Sequence, residues 1–210
     1  MVQQAFVYTE LQISLSFASL PWGNVNDSIK KQHGLLNKTW LSGLGTNSAG
    51  GLYAFDTITN AQRFVTDYFP PAARSFGVAQ TTRIFNAEIV AEASRDTNSV
   101  HFGGRIAQPP AAFVYTEVQV NIPFGQLPWR DINLVLKGQP GLLCKTWLSG
   151  LHNNTAGGIY GFDTIDNAEA FALDYFPIQA KALNAAYTTR IFDAAPTIEA
   201  SRAMRSPFFR

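Results

Sequence analysis

The chain has 210 residues and a formal net charge of +1, with 16 Lys and Arg residues balanced by 15 Asp and Glu residues. This balance gives no reason to expect nucleic acid or an anionic membrane as a partner. The single cysteine, Cys144, excludes an internal disulfide and is typical of a reducing compartment. No stretch approaches the roughly 18 apolar residues of a membrane helix, so we expect a soluble cytoplasmic protein.

Strand and helix patterns alternate in the first part of the chain. Partly alternating β-branched and aromatic residues predict strands, and apolar residues at helical spacing predict helices. A Gly- and Asn-rich turn between two strands is typical of a hairpin, and Pro70-Pro71 should kink or restart the second helix. In chain order we predict a strand over 6–17, a helix over 24–32, strands over 35–42 and 52–55, a helix over 57–76 and a strand over 80–85.

The second part of the chain repeats the sequence of the first. Phe6 recurs as Phe113 and Pro21 as Pro128, an offset of 107 residues that holds through the repeat without a gap. More than half of the aligned positions are identical. A period this long is outside the range of solenoid or propeller units, so each copy should be a small domain. We therefore predict a first domain over 1–95, a linker over 96–112 and a second domain with a C-terminal tail over 113–210.

The order βαββαβ in each copy predicts a ferredoxin-like α+β fold with both helices on one face of an antiparallel sheet. Its bare sheet face needs a cover, and the second copy is the obvious one. We expect an intramolecular pseudo-dimer with the two sheets face to face. An assembly of pseudo-dimers into larger oligomers is left open by the sequence.

Three ordered motifs carry a resemblance to a known family. They are Gly34 to Trp40, Asn47 to Phe55, and Thr82 to Asn86, each of which recurs in the second copy. With them the chain resembles the YdhR-like monooxygenase family of the dimeric α+β barrel superfamily. The resemblance covers most of each copy and implies the same ferredoxin-like fold.

The resemblance also implies a class of chemistry. Its superfamily includes cofactor-free oxygenases of quinone and polyketide pathways, polyketide cyclases and hydroxynitrile lyases, much of it secondary metabolism. We therefore expect a cofactor-independent enzyme acting on a hydrophobic aromatic or polyketide-like molecule, with oxygenation as the first guess. Cyclisation, isomerisation or lyase chemistry on the same substrate, and ligand binding without catalysis, remain alternatives. The sequence itself shows no nucleotide loop, nucleophile elbow or metal-ligand spacing.

A polar and aromatic set recurs on the predicted strands. In the strand order 4-1-3-2 of a ferredoxin-like sheet, Glu10 can neighbour Tyr53 and Arg83, and Lys38 can neighbour Tyr53. A buried carboxylate beside a cation is most often a structural ion pair. The functional alternative makes Glu10 or Glu117 a base whose pKa is shifted by burial, with Arg83 or Arg190 stabilising the enolate. The remaining members are Tyr8, Lys38, Trp40 and Tyr53, with Tyr115, Lys145, Trp147 and Tyr160 in the second copy.

Two further groups of residues are weaker candidates. Trp22 and Trp129 follow a Leu-Pro pair, where an aromatic ring packs in the core or forms the wall of a ligand pocket. His152 and Tyr187 replace Gly45 and Gln80 of the first copy, so they would mark a site kept in one half only. A histidine in a loop is most often only solvated, although it titrates near neutral pH and can act as a base. Cys144 should be a small core residue.

Overall fold

The computed structural model describes residues 4–210, which form two compact units. The first unit contains the described residues up to Asn86 together with Ala194–Arg210, and the second contains Ala87–Asp193. These units do not follow the boundaries expected from the sequence. The predicted linker, 96–112, and the end of the predicted first domain, 87–95, both belong to the second unit, and 194–210 belongs to the first. Among residues 4–210, no helix is both long and apolar enough to cross a membrane.

The first unit is built on a four-stranded antiparallel sheet in the order β4-β1-β3-β2. The helices pack on one face of this sheet and share its apolar core. This order confirms the predicted ferredoxin-like fold class. Its elements are β1 (Ala5–Gln12), α1 (Trp22–Ile29), β2 (Leu35–Gly43), β3 (Ser48–Phe55), α2 (Ile58–Arg63), α3 (Phe69–Ser75) and β4 (Gln80–Asn86).

The second unit repeats this plan strand for strand, in the order β8-β5-β7-β6. It begins with a helix from the end of the first copy, because the unit Ala87–Asp193 starts before the second copy does. Its elements are α4 (Ala91–Asp96), β5 (Ala112–Gln119), α5 (Trp129–Leu136), β6 (Leu142–Ser149), β7 (Thr155–Phe162), α6 (Ile165–Glu169), α7 (Phe176–Ala182) and β8 (Tyr187–Asp193). The helix that follows β8, α8 (Ile198–Ala203), belongs to the first unit.

The long second helix of each copy is interrupted where the sequence predicted a kink. Between α2 and α3 the segment Phe64–Tyr68 forms a π-helical turn, in which the Phe69 N–H donates to the Phe64 carbonyl. Pro70 and Pro71 have no N–H to give to the carbonyls four residues earlier, so the chain changes to a wider turn. The second copy has the same turn over Ala170–Tyr175. The α-helix is thus interrupted just before the prolines at which the sequence predicted a kink or a restart.

Two strand boundaries differ from the prediction, the end of the first strand and the start of the third. The first strand ends at Gln12 rather than Phe17, and Phe17–Ser19 forms a short 3-10 helix. The third strand begins at Ser48 rather than Leu52, because the glycines of the Ala-Gly-Gly motif continue the ladder. Glycine is depleted in strands, so its presence hid the first half of this strand from the sequence pattern.

The C-terminal segment of each copy packs in the other copy's unit. We call these segments, 87–104 and 194–210, the straps. The motif Glu92 to Arg95 of the first strap recurs as Glu199 to Arg202 in the second, again at an offset of 107 residues. The first strap belongs to the second unit and the second strap to the first unit. The sequence therefore contained a signal for the straps that the linker assignment overlooked.

Each strap binds the strand that contains the repeated Lys-Thr-Trp motif. In the first unit the Ser201 hydroxyl accepts from the Trp40 N–H at 2.9 Å, and the Met204 carbonyl accepts from the Lys38 N–H at 3.1 Å. In the second unit the Ser94 hydroxyl accepts from the Trp147 N–H at 3.0 Å. These bonds satisfy buried main-chain groups, so the straps fix the position of β2 and β6.

We expect Ser201→Ala to destabilise the first unit by about 1–3 kcal/mol, because the buried Trp40 N–H would lose its acceptor. Urea unfolding followed by tryptophan fluorescence measures the loss. Ser28→Ala is the matched control, since the Ser28 hydroxyl is exposed and donates only to the Asn24 carbonyl. Equal midpoints for the two variants would contradict the proposed role of the strap.

Candidate functional site

Each unit contains a cavity between its sheet and its helices, built from equivalent residues. The wall is mainly apolar, and no carboxylate or histidine of residues 4–210 lines either cavity. The volumes differ, at about 50 Å³ in the first unit and about 230 Å³ in the second. The shared polar and aromatic lining residues are Lys38, Trp40, Tyr53 and Tyr68 in the first unit and Lys145, Trp147, Tyr160 and Tyr175 in the second.

A buried lysine forms part of each cavity wall. Lys38 is 0% exposed and lies opposite Tyr53 in the sheet, which confirms the predicted neighbours. Its Nζ is 2.7 Å from the centroid of the Trp40 ring and 4.8 Å from that of Tyr53. Lys145 is 1% exposed, with its Nζ at 2.8 Å and 4.8 Å from the Trp147 and Tyr160 ring centroids. No described group forms a hydrogen bond with Lys38 Nζ.

Burial decides the charge state of these lysines. A cation over a desolvated indole ring gains about 2 kcal/mol, whereas removing an unpaired ion from water costs several kcal/mol. The penalty is larger, so burial lowers the pKa of both lysines well below the ordinary value. Burial therefore favours the neutral form of the amine in each cavity. A neutral amine is a base and a nucleophile, which an exposed lysine is not.

The indole ring next to each amine donates a hydrogen bond to a buried asparagine. Trp40 Nε1 donates to Asn26 Oδ1 at 2.8 Å, and Asn26 Nδ2 donates to the Ala200 carbonyl of the strap at 3.1 Å. The second unit repeats the arrangement with Trp147 and Asn133 at 2.9 Å, and Asn133 donates to the Ala93 carbonyl. Because each asparagine is buried and hydrogen-bonded to both the indole and a strap carbonyl, it fixes the orientation of the ring.

A glycine leaves room for each lysine chain. At Gly51 a β-carbon would lie 2.7 Å from Lys38 Cε and 2.7 Å from the Thr39 carbonyl oxygen. At Gly158 it would lie 2.8 Å from Lys145 Cε and 2.7 Å from the Thr146 carbonyl oxygen. The recurring Ala-Gly-Gly motif therefore includes a position where any side chain would displace the lysine.

A second tyrosine in each cavity was missed in the sequence. Tyr68 and Tyr175 end the two π-helical turns, and burial raises the pKa of both phenols. Burial also raises the pKa of Tyr53 and Tyr160, so all four phenols remain proton donors. The motif that contains Tyr68 and Tyr175, Asp-Tyr-Phe-Pro, recurs in both copies, and π-helical turns are frequent at functional sites. The repeated motif was thus the available signal.

The predicted acidic group lies on the other face of the sheet. Glu10 is opposite Gly50 and Thr81, not beside Tyr53 as expected, because side chains alternate along β1. Its carboxylate accepts from the Tyr8 hydroxyl at 3.0 Å, and Arg83 is exposed. Glu117, Tyr115 and Arg190 repeat this arrangement, with the Tyr115 hydroxyl 2.9 Å from Glu117. None of these residues lines either of the two cavities described above.

The remaining candidates also lie outside the cavity walls. Trp22 and Trp129 are half-buried and pack against the cores, beside the Leu-Pro pairs that do line the cavities. His152 is exposed in the β6–β7 turn with φ of 60°. Tyr187 is 43% exposed and touches the cavity residue Phe176 edge-on, with ring centroids 6.0 Å apart. Of the site residues predicted from the sequence, three in each copy line a cavity. They are Lys38, Trp40 and Tyr53, with Lys145, Trp147 and Tyr160 in the second copy.

Cys144 is a core residue, as predicted. Its thiol is buried, and burial raises its pKa to about 12. A thiol that remains protonated is a poor nucleophile and a poor metal ligand. Within residues 4–210, no three His, Cys, Asp or Glu side chains are grouped as a metal site would need.

Wall residues account for part of the size difference between the cavities. Three apolar residues of the first unit have smaller counterparts in the second, whereas two counterparts are larger, Ile132 for Val25 and Gln179 for Ala72. An apolar cavity of about 150 Å³ admits a benzene ring. Only the second cavity is larger than that limit. The three narrowing pairs are Leu11 with Val118, Ile13 with Val120, and Phe76 with Leu183.

A family model described as "Putative mono-oxygenase ydhR" matches residues 13–99. The matched residues, most of the first copy, are therefore similar to the ydhR family. The match confirms the resemblance inferred from the repeated motifs, and it includes part of the strap, 87–99, as well as β2, β3 and β4 of the first copy. No curated protein matches the chain.

Solved structures share the fold at low sequence identity. An "anthrone oxidase-like protein" has a TM-score of 0.55 and 13% identity, covering 90% of each chain. A "putative monooxygenase" from Lactobacillus acidophilus NCFM has a TM-score of 0.50 and 10% identity, covering 90% of this chain and 93% of its own. A chlorite dismutase mutant from Candidatus Nitrospira defluvii has a TM-score of 0.56 and 7% identity, with 99% and 95% covered. Proteins with such different names share the fold, so the fold alone does not define a reaction.

The lowered pKa of the two lysines predicts a pH dependence of stability. The unfolded chain binds protons that the folded chain does not, so the free energy of unfolding should rise with pH until the ordinary lysine pKa of 10.5. Each lysine contributes up to about 1.4 kcal/mol per pH unit. We expect Lys38→Met to reduce this slope and to be at least as stable as the parent near neutral pH.

Urea unfolding between about pH 7 and pH 10 measures the slope. Lys30→Met is the matched control, because Lys30 is exposed and forms only a surface ion pair with Asp27 at 3.7 Å. An unchanged slope in Lys38→Met, equal to that of the control, would mean that the buried amine is charged.

Proposed function

We propose that the protein is a cofactor-independent oxygenase of a hydrophobic aromatic substrate and that its active site is the cavity of the second unit. The observation that carries the proposal is the buried amine of Lys145 in an apolar cavity large enough for an aromatic ring. The ydhR family match supports the reaction class. The proposal keeps the predicted substrate class and replaces the predicted glutamate base by lysine.

In the proposed reaction, Lys145 removes a proton from a carbon that is activated by a neighbouring ring and carbonyl, as in an anthrone. The Tyr160 and Tyr175 hydroxyls donate hydrogen bonds to the enolate oxygen, which is how a buried site stabilises developing negative charge. A water-poor wall makes each such bond stronger than it would be in solution.

The carbanion then reacts with molecular oxygen, which is the oxidant. The C–O bond forms a hydroperoxide at the former CH₂ carbon, with the proton returned from Lys145. Loss of water leaves a carbonyl group on that carbon, so one oxygen atom stays in the product. The other oxygen atom leaves as water with the two hydrogens of the CH₂ group, and no external reductant is consumed.

We expect Lys145→Met to lower oxygen consumption with an anthrone substrate by at least about 100-fold, the usual contribution of a general base. Lys38→Met is the matched control and should retain activity, because the first cavity is too small for a ring. An oxygen electrode and product absorbance measure both rates.

Two further variants separate this mechanism from its competitors. Glu117→Gln should keep most of the activity; if it abolishes turnover while Lys145→Met does not, the carboxylate mechanism is correct and ours is wrong. Leu183→Phe should raise KM or abolish binding by narrowing the cavity. A parent protein that binds the aromatic without consuming oxygen, isomerising or cyclising it would be a carrier rather than an enzyme.

A further inference from the structure

The second cavity combines three features that suit covalent chemistry rather than proton transfer alone. Its amine is buried, its lining has no carboxylate or histidine within residues 4–210, and the cavity next to the amine has room for a ring. A lysine without a counter-ion in an apolar cavity is a typical nucleophile toward carbonyl compounds. The oxygenation proposed above does not use this property.

We propose that Lys145 forms a reversible imine with aromatic aldehydes in the cavity of the second unit. The inference uses the same cavity as the proposed function but does not require its oxygen chemistry. The ligand class is an aldehyde carried by a single aromatic ring, because the cavity measures about 230 Å³ and a ring such as benzene needs about 150 Å³.

The geometry around Nζ leaves the lone pair available. A neutral primary amine has two N–H bonds and one lone pair, and Lys145 Nζ lies 2.8 Å from the centroid of the Trp147 ring. An N–H bond directed at the electron-rich face of the indole points the lone pair away from that ring. The ring is held in place by Asn133, so the amine is oriented before a ligand enters.

The reaction balances without an oxidant or reductant. The amine nitrogen attacks the carbonyl carbon and forms a carbinolamine. A C–O bond then breaks, water leaves, and a C=N bond remains. Tyr160 can supply the proton for the leaving hydroxyl, because its oxygen accepts from Thr116 at 3.4 Å and its own O–H is therefore not used in that bond.

The first unit provides a control within the same chain. Lys38 is also buried against a tryptophan and a tyrosine ring, but its cavity is only about 50 Å³. A benzaldehyde molecule fits beside Lys145 and not beside Lys38. The remaining lysines, at positions 30, 31, 137 and 181, are all exposed, so none of them lies in an apolar cavity that could hold the aldehyde against its amine.

The experiment is reductive trapping of the full chain with benzaldehyde and sodium cyanoborohydride at about pH 6, followed by intact mass and peptide mapping. We expect one benzyl group per chain, on Lys145, at a rate at least about 10-fold above that of any exposed lysine. The label should disappear in Lys145→Met, persist in Lys38→Met, and decrease in Leu183→Phe.

Labelling spread over several lysines, labelling that persists in Lys145→Met, or no labelling of the folded parent would each overturn the inference. Circular dichroism and urea unfolding of Lys145→Met verify that its loss of label is not a loss of fold. Trapping without anthrone oxidation would leave this inference standing and refute the proposed oxygenase, and oxidation without trapping would do the reverse.

Discussion

The site depends on an amine that is buried without a counter-charge. Lys38 and Lys145 lie inside their units against the face of an indole ring. An unpaired ammonium there would cost several kcal/mol, so burial favours the neutral amine, which is a base and a nucleophile. Core lysines are rare, because a long apolar residue would fill the same space without this cost. The same unfavourable choice at the same position in both copies is the strongest physical sign of function in the chain.

Much of the surrounding structure serves to hold that amine. The β2–β3 register places it opposite a tyrosine, a glycine leaves space for its chain, and an asparagine fixes the ring beneath it. The strap then bonds both the asparagine and the main chain of the lysine strand. Because each strap is the C-terminal segment of the other copy, neither repeat by itself contains all the groups that position its own lysine.

The two copies have kept this supporting structure and diverged at the cavity walls. Asn26 and Asn133, Ser94 and Ser201, and Gly51 and Gly158 are identical pairs. The wall pairs Leu11 with Val118 and Phe76 with Leu183 are not, and the cavities differ in volume by about 180 Å³, the difference between about 230 and about 50 Å³. Packed interiors respond to changes of one methylene group, so a few such substitutions can alter a cavity without disturbing the fold. One chain thus contains two similar amines with unequal access.

The sequence by itself determined the repeat, the βαββαβ order and the resemblance to the ydhR family, because these rest on local periodicity and on motifs that are contiguous in the chain. It also placed Lys38 beside Tyr53, since the strand order of the fold fixes that pair. It did not show that Glu10 faces away from the cavity, that Tyr68 faces into it, or that the straps exchange between copies. These facts depend on the strand register, on a π-helical turn and on contacts between residues more than 150 positions apart, such as Asn26 with Ala200. Only the tertiary structure decided them, because a shift of one residue in a strand moves a side chain to the opposite face of the sheet.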